Sequence, residues 1–259
     1  MRTQINTVVF IGSGNVATRL AIALHLAGKT ILQIYSRTEK GASLLGEKLG
    51  VDFTSDYSKI NPEADLYILS VSDNALEEVV DKLDLNERFV VHTSGTSSMD
   101  SLSKFLNHGV FYPLQTFSKD ISISFKNIPI FIQANSEENL ELLQGLADTI
   151  SENVQKINTE QRRVLHVSAV FASNFTNYMY AVAEDILAKN DLSFELLKPL
   201  IEETAEKLKN HAPHEAQTGP ARRNDQKIIQ EHLEILDKYS EYQKIYKLIT
   251  EQIKRKHQR

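Results

Sequence analysis

Two glycines near the start of the chain have the spacing of a nucleotide-binding turn. Gly12 and Gly14 follow the apolar run Thr7–Ile11, and Ala17 takes the third small position. In such a turn the first glycine allows a tight bend, the second lets a pyrophosphate approach the backbone, and the third position lets the helix pack closely. The pattern predicts dinucleotide contacts at Gly12, Ser13, Gly14, Asn15 and Val16. The alternative is a sharp strand–helix turn that binds no ligand.

The end of the second predicted strand indicates which dinucleotide. An NAD site places Asp or Glu there, about 20 residues past the turn, to bind the ribose 2′-hydroxyl. This chain has Ser36, Arg37 and Thr38, and no acid before Glu39. A guanidinium is a planar fork for a 2′-phosphate, and the hydroxyls add hydrogen bonds. The pattern favours NADP(H) as the cofactor. In the alternative, Arg37 stacks on the adenine or points to solvent.

Polar residues also follow two later apolar runs. Val71 and Ser72 end one run, and Thr93 and Ser94 follow another. Loops at the carboxyl ends of parallel strands form the ligand crevice of such sheets. We therefore predict that these four residues contact the ribose and nicotinamide. For Ser94 and Asp73 the alternative is helix capping.

A long apolar segment, residues 163–187, concentrates its polar residues on one face. On a helical projection, five of them fall within a stripe about 100° wide: Arg163, His166, Ser173, Asn174 and Asn177. Because the segment is otherwise apolar nearly all round, we predict a buried helix. We interpret the stripe as the lining of a polar substrate cleft between two domains; the alternative is a set of satisfied internal hydrogen bonds.

A second polar cluster lies in residues 217–225. A Thr-Gly-Pro turn and possible cap residues account for its glycine and its acid. They do not account for the adjacent Arg222 and Arg223, which could bind a carboxylate or phosphate. The alternative is a structural tie between domains or subunits.

The predicted secondary structure that positions these residues changes in character near residue 157, which indicates two domains. Alternating strand and helix patterns over residues 1–157 predict a parallel sheet covered on both faces, a Rossmann-like α/β domain. Residues 158–259 have helical patterns apart from the segment 210–223, which contains proline and glycine, and so predict an all-helical second domain. Asn158 and Gln161 have the spacing of a capping box at its start.

Composition narrows the function classes. The 259 residues carry a net charge of −5, which gives no general attraction to nucleic acid or anionic membrane. The absence of cysteine excludes disulfides, thiolate catalysis and cysteine-bound metals. No segment has the length of a membrane span, and the first apolar run is too short for a signal peptide. We expect a cytoplasmic protein with a small-molecule substrate, no metal, and no nucleic-acid or membrane partner.

Four segments together resemble one known family. They are GSGNVA with YSRT, HTSGTSSMDSL with FYPLQTF, LHVSAVFASNF, and QTGPARRND with His232. The first is similar to the pyrroline-5-carboxylate reductase and deazaflavin-linked NADP oxidoreductase group. In order and spacing, all four resemble the family that joins a Rossmann-like domain to the domain of unknown function 2520. The resemblance implies an NADP-binding domain and a helical domain akin to the C-terminal part of 6-phosphogluconate dehydrogenase-like enzymes, which usually pairs into dimers.

The chain departs from its relatives at three positions. The family usually has His where FYPLQTF has Tyr112, and its RGD-like triplet is Arg223-Asn224-Asp225 here. The related β-hydroxyacid dehydrogenases place a lysine four residues before the position of Asn174, where this chain has Val170. Because that acid is missing, His166 becomes the candidate proton donor, since an imidazole titrates near neutrality.

We therefore predict an NADP-dependent oxidoreductase that transfers a hydride between NADP(H) and a small carbonyl, imine or hydroxy compound in an interdomain cleft. His166 donates the proton and Asn174 and Ser94 position the substrate. The remaining predicted substrate contacts are Tyr112, Asn177, Arg222 and Arg223. We expect a homodimer formed through residues 158–259. The alternative, favoured by Tyr112 and the missing lysine, is a non-catalytic dimeric sensor that binds NADP(H) or a metabolite.

Overall fold

The computed structural model describes residues 4–257; Gln258 and Arg259, at the end of the basic C-terminal segment, lie outside them. Contacts divide the chain into two compact units, the first ending at Asn174 and the second beginning at Phe175. The predicted domain boundary near residue 157 coincides with the end of the sheet and stays a prediction. No helix within residues 4–257 is long and apolar enough to cross a membrane.

The first unit is built on an eight-stranded sheet in the order β3-β2-β1-β4-β5-β6-β7-β8. The strands are β1 Thr7–Ile11, β2 Thr30–Tyr35, β3 Asp52–Thr54, β4 Leu66–Leu69, β5 Phe89–His92, β6 Asn107–Pro113, β7 Ile130–Ala134 and β8 Val154–Lys156. The prediction of a Rossmann-like α/β domain is confirmed. The expectation of parallel strands throughout is wrong for one pair, because β7 runs antiparallel to β6. Residues 114–129 return the chain as a loop, whereas a parallel pair needs a crossover, usually a helix.

Helices cover both faces of this sheet. They are α1 Asn15–Leu26, α2 Glu39–Leu49, α3 Asp73–Lys82, α4 Glu137–Asp148 and α5 Thr159–Ala169. Strand β1 shows why: Val8 and Phe10 pack into one apolar layer, and Val9 and Ile11 into the other. The sequence pattern of residues 99–106 predicts a helix, but the structure has a single 3₁₀ turn there, Met99–Leu102, which the Ser98 side chain caps.

The first unit ends in the helix that the polar stripe predicted. Asn158 and Gln161 form the predicted capping box, each side chain accepting the other residue's backbone N–H at 2.9 Å. Helix α5 is followed by a π-helical segment, Val170–Phe175. Single π turns inside α-helices occur frequently at functional sites.

The second unit is helical, as predicted. Its helices are α6 Thr176–Ala188, α7 Lys198–Lys207, α8 Pro213–Ala216, α9 Pro220–Arg223, α10 Gln226–Ile235 and α11 Ser240–His257. Inside this unit, Asp185 accepts a hydrogen bond from the Tyr242 hydroxyl at 2.7 Å and pairs with Lys189 at 2.5 Å, which ties the end of α6 to α11.

The prediction that residues 163–187 form a buried helix is wrong for the single chain. Val164, Val167 and Phe171 are 68%, 56% and 65% exposed. The apolar composition of a helix indicates that its surface is buried against other protein. It does not indicate whether the same chain or another chain buries it. Val164 and Val167 of α5 and Phe171 of the π-helical segment are therefore exposed in the single chain.

Candidate cofactor and substrate site

A cavity of about 600 Å³ lies at the carboxyl ends of β1, β2 and β4. Most of the predicted cofactor residues line it together: Gly12, Ser13, Gly14, Ser36, Arg37, Thr38, Val71 and Ser72. The other four, Asn15, Val16, Thr93 and Ser94, do not line it. Thr93 donates a hydrogen bond from its hydroxyl to Ser70, itself a lining residue, at 3.2 Å. The glycine turn and the β2 end, far apart in sequence, therefore share one space.

The glycine turn fits a pyrophosphate. Gly12 has φ +120°, and a Cβ there would overlap the Ser70 carbonyl oxygen, so glycine is required. A Cβ at Gly14 would meet nothing within 4 Å, which leaves the space above its backbone open. Helix α1 starts at Asn15 without a side-chain cap or an acidic residue in its first turn. Its first N–H groups and positive dipole end are therefore available to an anion.

The end of β2 fits a second phosphate. Hydroxyls of Ser13, Ser36 and Thr38 converge on Gly41 of α2, where any Cβ would lie within about 3 Å of all three. Ser13 donates to Ser36 at 2.9 Å, and Thr38 accepts from the Gly41 backbone N–H at 3.2 Å. The Arg37 side chain is exposed beside them. Three hydroxyls and a guanidinium are the donor set that a 2′-phosphate takes.

Helix α3 contributes two charged lining residues, Glu78 and Lys82, that the sequence did not single out. Lys82 Nζ lies 2.5 Å from Glu78 Oε1 and 5.6 Å from the centre of the Tyr57 ring. The hydrogen bond between the two charges raises the pKa of Lys82 and lowers that of Glu78. Their spacing of four residues is typical of ordinary surface pairs, so it carried no functional signal.

A second cavity, of about 190 Å³, is lined by several predicted site residues of the first unit, although not by Ser94. Tyr112, His166, Ser173 and Asn174 all line it. The Tyr112 hydroxyl lies 2.9 Å from His166 Nδ1, which joins the end of β6 to α5. The His166 ring packs directly on Gly95, where a Cβ would overlap the imidazole. The ring is therefore fixed at one nitrogen and on one face.

Arg162, which the sequence did not point to, lies on α5 four residues before His166, and its charge acts on Tyr112. Its side chain is fully buried. One terminal nitrogen donates to Gln133 Oε1 at 2.8 Å and the other to the Ser97 carbonyl, while Nε has no hydrogen-bond partner among the described residues. Burial lowers the pKa of Arg162 to about 10 and raises that of Tyr112 to about 12, so both stay protonated at neutral pH. A straight helical projection places Arg162 beside the stripe, not in it, which is why it was missed.

The loop after β5 is held by internal hydrogen bonds. Ser94 Oγ accepts the backbone N–H groups of Thr96 and Ser97 at 3.1 and 2.8 Å, so this oxygen organises the loop that carries Gly95. Thr96 donates to Asp73 Oδ2 at 2.5 Å, which attaches the loop to α3. The predicted positioning role of Ser94 stays a prediction.

Other candidates have different surroundings. Arg163 donates to the Thr96 carbonyl at 2.8 Å and pairs with Glu160 at 3.0 Å, outside the lining of the small cavity. Asn177, Arg222 and Arg223 belong to the second unit, and their roles as substrate contacts stay predictions. There, Arg222 donates to the Glu215 carbonyl at 3.1 Å and to the Gln217 carbonyl. Residues 4–257 contain no group of three His, Asp or Glu that could hold a metal ion.

Comparison with known proteins identifies the family. Residues 7–95 match the model of coenzyme F420-dependent NADP oxidoreductases, and residues 128–253 match domain of unknown function 2520. No curated protein matches the chain. A crystal structure from Bacteroides fragilis, provisionally assigned as an NADP oxidoreductase, is 42% identical, covers 98% of this chain and 99% of its own, and has a TM-score of 0.92.

More distant structures share the fold. A 1-pyrroline-5-carboxylate reductase of Streptococcus pyogenes is 17% identical, with a TM-score of 0.64 over 96% of this chain and 98% of its own. An imine reductase of Myxococcus stipitatus in complex with NADP⁺ is 14% identical, with a TM-score of 0.68 over 96% and 91%. The sequence-based assignment of family and of NADP(H) as the cofactor is thus confirmed. The chain belongs to the family of NADP oxidoreductases that join a Rossmann-like domain to domain of unknown function 2520.

Proposed function

We propose that this chain transfers a hydride between NADP(H) and a small carbonyl, imine or hydroxy compound, with His166 as the proton donor in the reductive direction. The contact of 2.9 Å between the Tyr112 hydroxyl and His166 Nδ1, beside a small cavity, carries the proposal. When bound, NADPH supplies the hydride, and the protein has to orient the substrate and provide the proton.

Tyr112 is the residue that orients His166. A tyrosine hydroxyl both donates and accepts, so it can accept Nδ1–H from the imidazolium and donate to Nδ1 of the neutral ring. Burial keeps the pKa of Tyr112 at about 12, so the hydroxyl keeps its proton through both states. Because Nδ1 is bound and Gly95 backs the ring, Nε2 is the nitrogen that gives its proton to the substrate oxygen or nitrogen.

The cavity supports a small polar substrate. Its volume of about 190 Å³ lies below the roughly 300–1,000 Å³ of pockets for drug-sized ligands. Ser173 and Asn174 line it with a hydroxyl and an amide, which can donate to a carbonyl oxygen or accept from an imine N–H. The predicted placement of the substrate between the two domains remains part of the proposal.

The test follows NADPH oxidation with a panel of 2-oxo acids, aldehydes and cyclic imines, the last because fold neighbours include pyrroline-5-carboxylate and imine reductases. His166→Gln should lower kcat by about 10²–10⁴-fold, the usual contribution of a general acid. It should leave NADPH affinity by calorimetry nearly unchanged. Tyr112→Phe removes only the orienting contact, so its loss of kcat should be smaller. His25→Gln, an exposed histidine of α1, is the matched control.

The outcomes separate the alternatives. An unchanged kcat in His166→Gln overturns the assigned donor. Tight NADPH binding without turnover of any compound favours the sensor over the enzyme.

We also propose that Arg37 and its neighbouring hydroxyls bind the 2′-phosphate. Arg37→Met should weaken NADPH about tenfold or more, since charge-assisted hydrogen bonds contribute roughly 1.5–3 kcal/mol each, and should leave NADH affinity unchanged. Equal affinity of the unmodified protein for both nucleotides would contradict this assignment.

A further inference from the structure

One cation that lines the nucleotide cavity comes from a distant loop. Lys119 lies in residues 114–129, between β6 and β7, yet it borders the same cavity as Gly12, Ser13 and Gly14. Within residues 4–257 its ammonium group forms no ion pair with a carboxylate. Its charge therefore remains available to a ligand in that cavity.

The backbone that carries Lys119 is attached to α1 by a buried arginine. Arg19, only 7% exposed, donates from Nε to the Ser118 carbonyl at 2.7 Å and from Nη2 to the Lys119 carbonyl at 2.6 Å. Hydrogen bonds from a charged donor are among the stronger ones in proteins. Helix α1 is also the helix whose first turn faces the predicted pyrophosphate site. The loop is therefore fixed to the element that positions the phosphates.

Charge balance distinguishes the two phosphate positions. The 2′-phosphate position has Arg37 and three hydroxyls. The glycine turn offers backbone N–H groups, because residues 12–18 are Gly-Ser-Gly-Asn-Val-Ala-Thr and contain no cation. Lys82, the other lysine of the cavity, is already paired with Glu78. A pyrophosphate bound at the glycine turn would carry two negative charges. Lys119 lines the cavity and forms no ion pair with a carboxylate of the described residues, so its ammonium group is available to neutralise part of that charge.

We propose that Lys119 binds the pyrophosphate of the dinucleotide and that Arg19 is the positioning residue for its loop. This inference rests on the proposed NADP(H) site. The pyrophosphate is common to NADPH and NADH. A contact from Lys119 to it therefore raises the affinity for both nucleotides and does not discriminate between them. Arg37, by contrast, would bind the 2′-phosphate, which NADPH has and NADH lacks, and so would favour NADPH.

The experiment measures the Kd of NADPH and of NADH by calorimetry for the unmodified protein and for Lys119→Met. We expect both Kd values to rise by about tenfold, the effect of one exposed charge-assisted contact. The ratio of the Kd of Lys119→Met to that of the unmodified protein should decrease at high salt, because the contact is electrostatic. Lys126→Met is the matched control: Lys126 lies in the same loop, pairs with Glu152 at 3.3 Å and does not line the cavity.

Arg19→Met should also weaken both nucleotides, and the double variant should bind about as weakly as Lys119→Met alone, since both changes remove one contact. Additive losses would overturn the positioning role of Arg19. Unchanged Kd values in Lys119→Met, or a loss for NADPH only, would overturn the pyrophosphate contact while leaving the proposed function intact. An unmodified protein that binds neither nucleotide would overturn both.

Discussion

The nucleotide-binding unit should lose stability in mild acid because it buries a neutral histidine. His92, the last residue of β5, is 0% exposed. Its Nδ1 accepts the Ser94 backbone N–H at 3.1 Å, which leaves the proton on Nε2 to be donated to the Ser98 carbonyl at 3.2 Å. A second proton on the ring would place Nδ1–H against the Ser94 N–H. The folded loop therefore holds only the neutral form.

The size of the effect follows from the pKa. Burial, and then the charge of Arg162, lower the pKa of His92 from 6.5 to about 4. At roughly 1.4 kcal/mol per pKa unit, this difference corresponds to about 3 kcal/mol of the free energy of unfolding. Between these two pKa values the unfolded chain binds a proton that the folded chain does not, so stability rises with pH. The contribution is complete above about pH 6.5 and is lost as the pH falls towards 4.

The assay is urea unfolding between pH 7.5 and 4.5, compared with His92→Asn. Asparagine can still accept the Ser94 N–H but does not titrate, so the difference between the two proteins isolates His92 from the carboxylates. Between pH 7.5 and 4.5, we expect the free energy of unfolding of the unmodified protein to fall by about 2–3 kcal/mol relative to that of the variant. In NMR spectra of the folded protein, the His92 ring should remain neutral at pH 5.5.

Two results would refute this reasoning. The first is an identical pH dependence of unfolding in both proteins. The second is a His92 ring that titrates near pH 6.5 in the folded state. Either would mean that the loop accepts the charged ring, and its hydrogen bonds would then not depend on the neutral form.

Three further predictions concern the surroundings of the pocket and the assembly. Gly95→Ala should displace His166 and lower kcat at least tenfold while NADPH affinity by calorimetry stays unchanged; Gly145→Ala, whose Cβ meets nothing, is the control and should be neutral or slightly stabilising. Arg162→Met removes the hydrogen bonds to Gln133 Oε1 and to the Ser97 carbonyl and should lower the free energy of unfolding in urea by about 2 kcal/mol; an unchanged value would contradict this. Sedimentation at micromolar concentration should show a dimer formed through residues 158–259, and a monomer would contradict the expectation.

Much of the first unit could be predicted because its local signals agree with its tertiary structure. The sequence pattern predicts a helix over Glu39–Leu49, and helix α2 has these bounds because Thr38 caps its start and Gly50 ends it with φ +67°. Strand β6 shows the limit. Its first residues, Asn107 and His108, have no strand pattern, and pairing with β5 makes them a strand. The antiparallel direction of β7 likewise depends on pairing, which a local pattern does not contain.

The candidate site was predictable as a set of residues but not as a set of contacts. Tyr112 came from the resemblance and His166 from the polar stripe, and nothing in the sequence joined them. Their hydrogen bond spans 54 positions. Lys119 and Arg19 were missed for the same reason, because their importance lies in contacts about 100 positions apart and neither belongs to a motif.

The polar stripe itself shows how far a helical projection can be used. It assumes one rotation per residue, whereas Val170–Phe175 form a π segment, whose turns contain more residues than α turns. His166, before that segment, and Ser173 and Asn174, within it, line the same cavity, whereas Arg163 does not, so a shared polar lining is supported for these three residues alone. After the π segment, a projection at 100° per residue no longer gives the correct orientation of a side chain. The projected position of Asn177 is therefore not evidence that it shares the face of His166. The π segment thus separates the part of the stripe that defines the pocket from the part whose role must be tested by substitution.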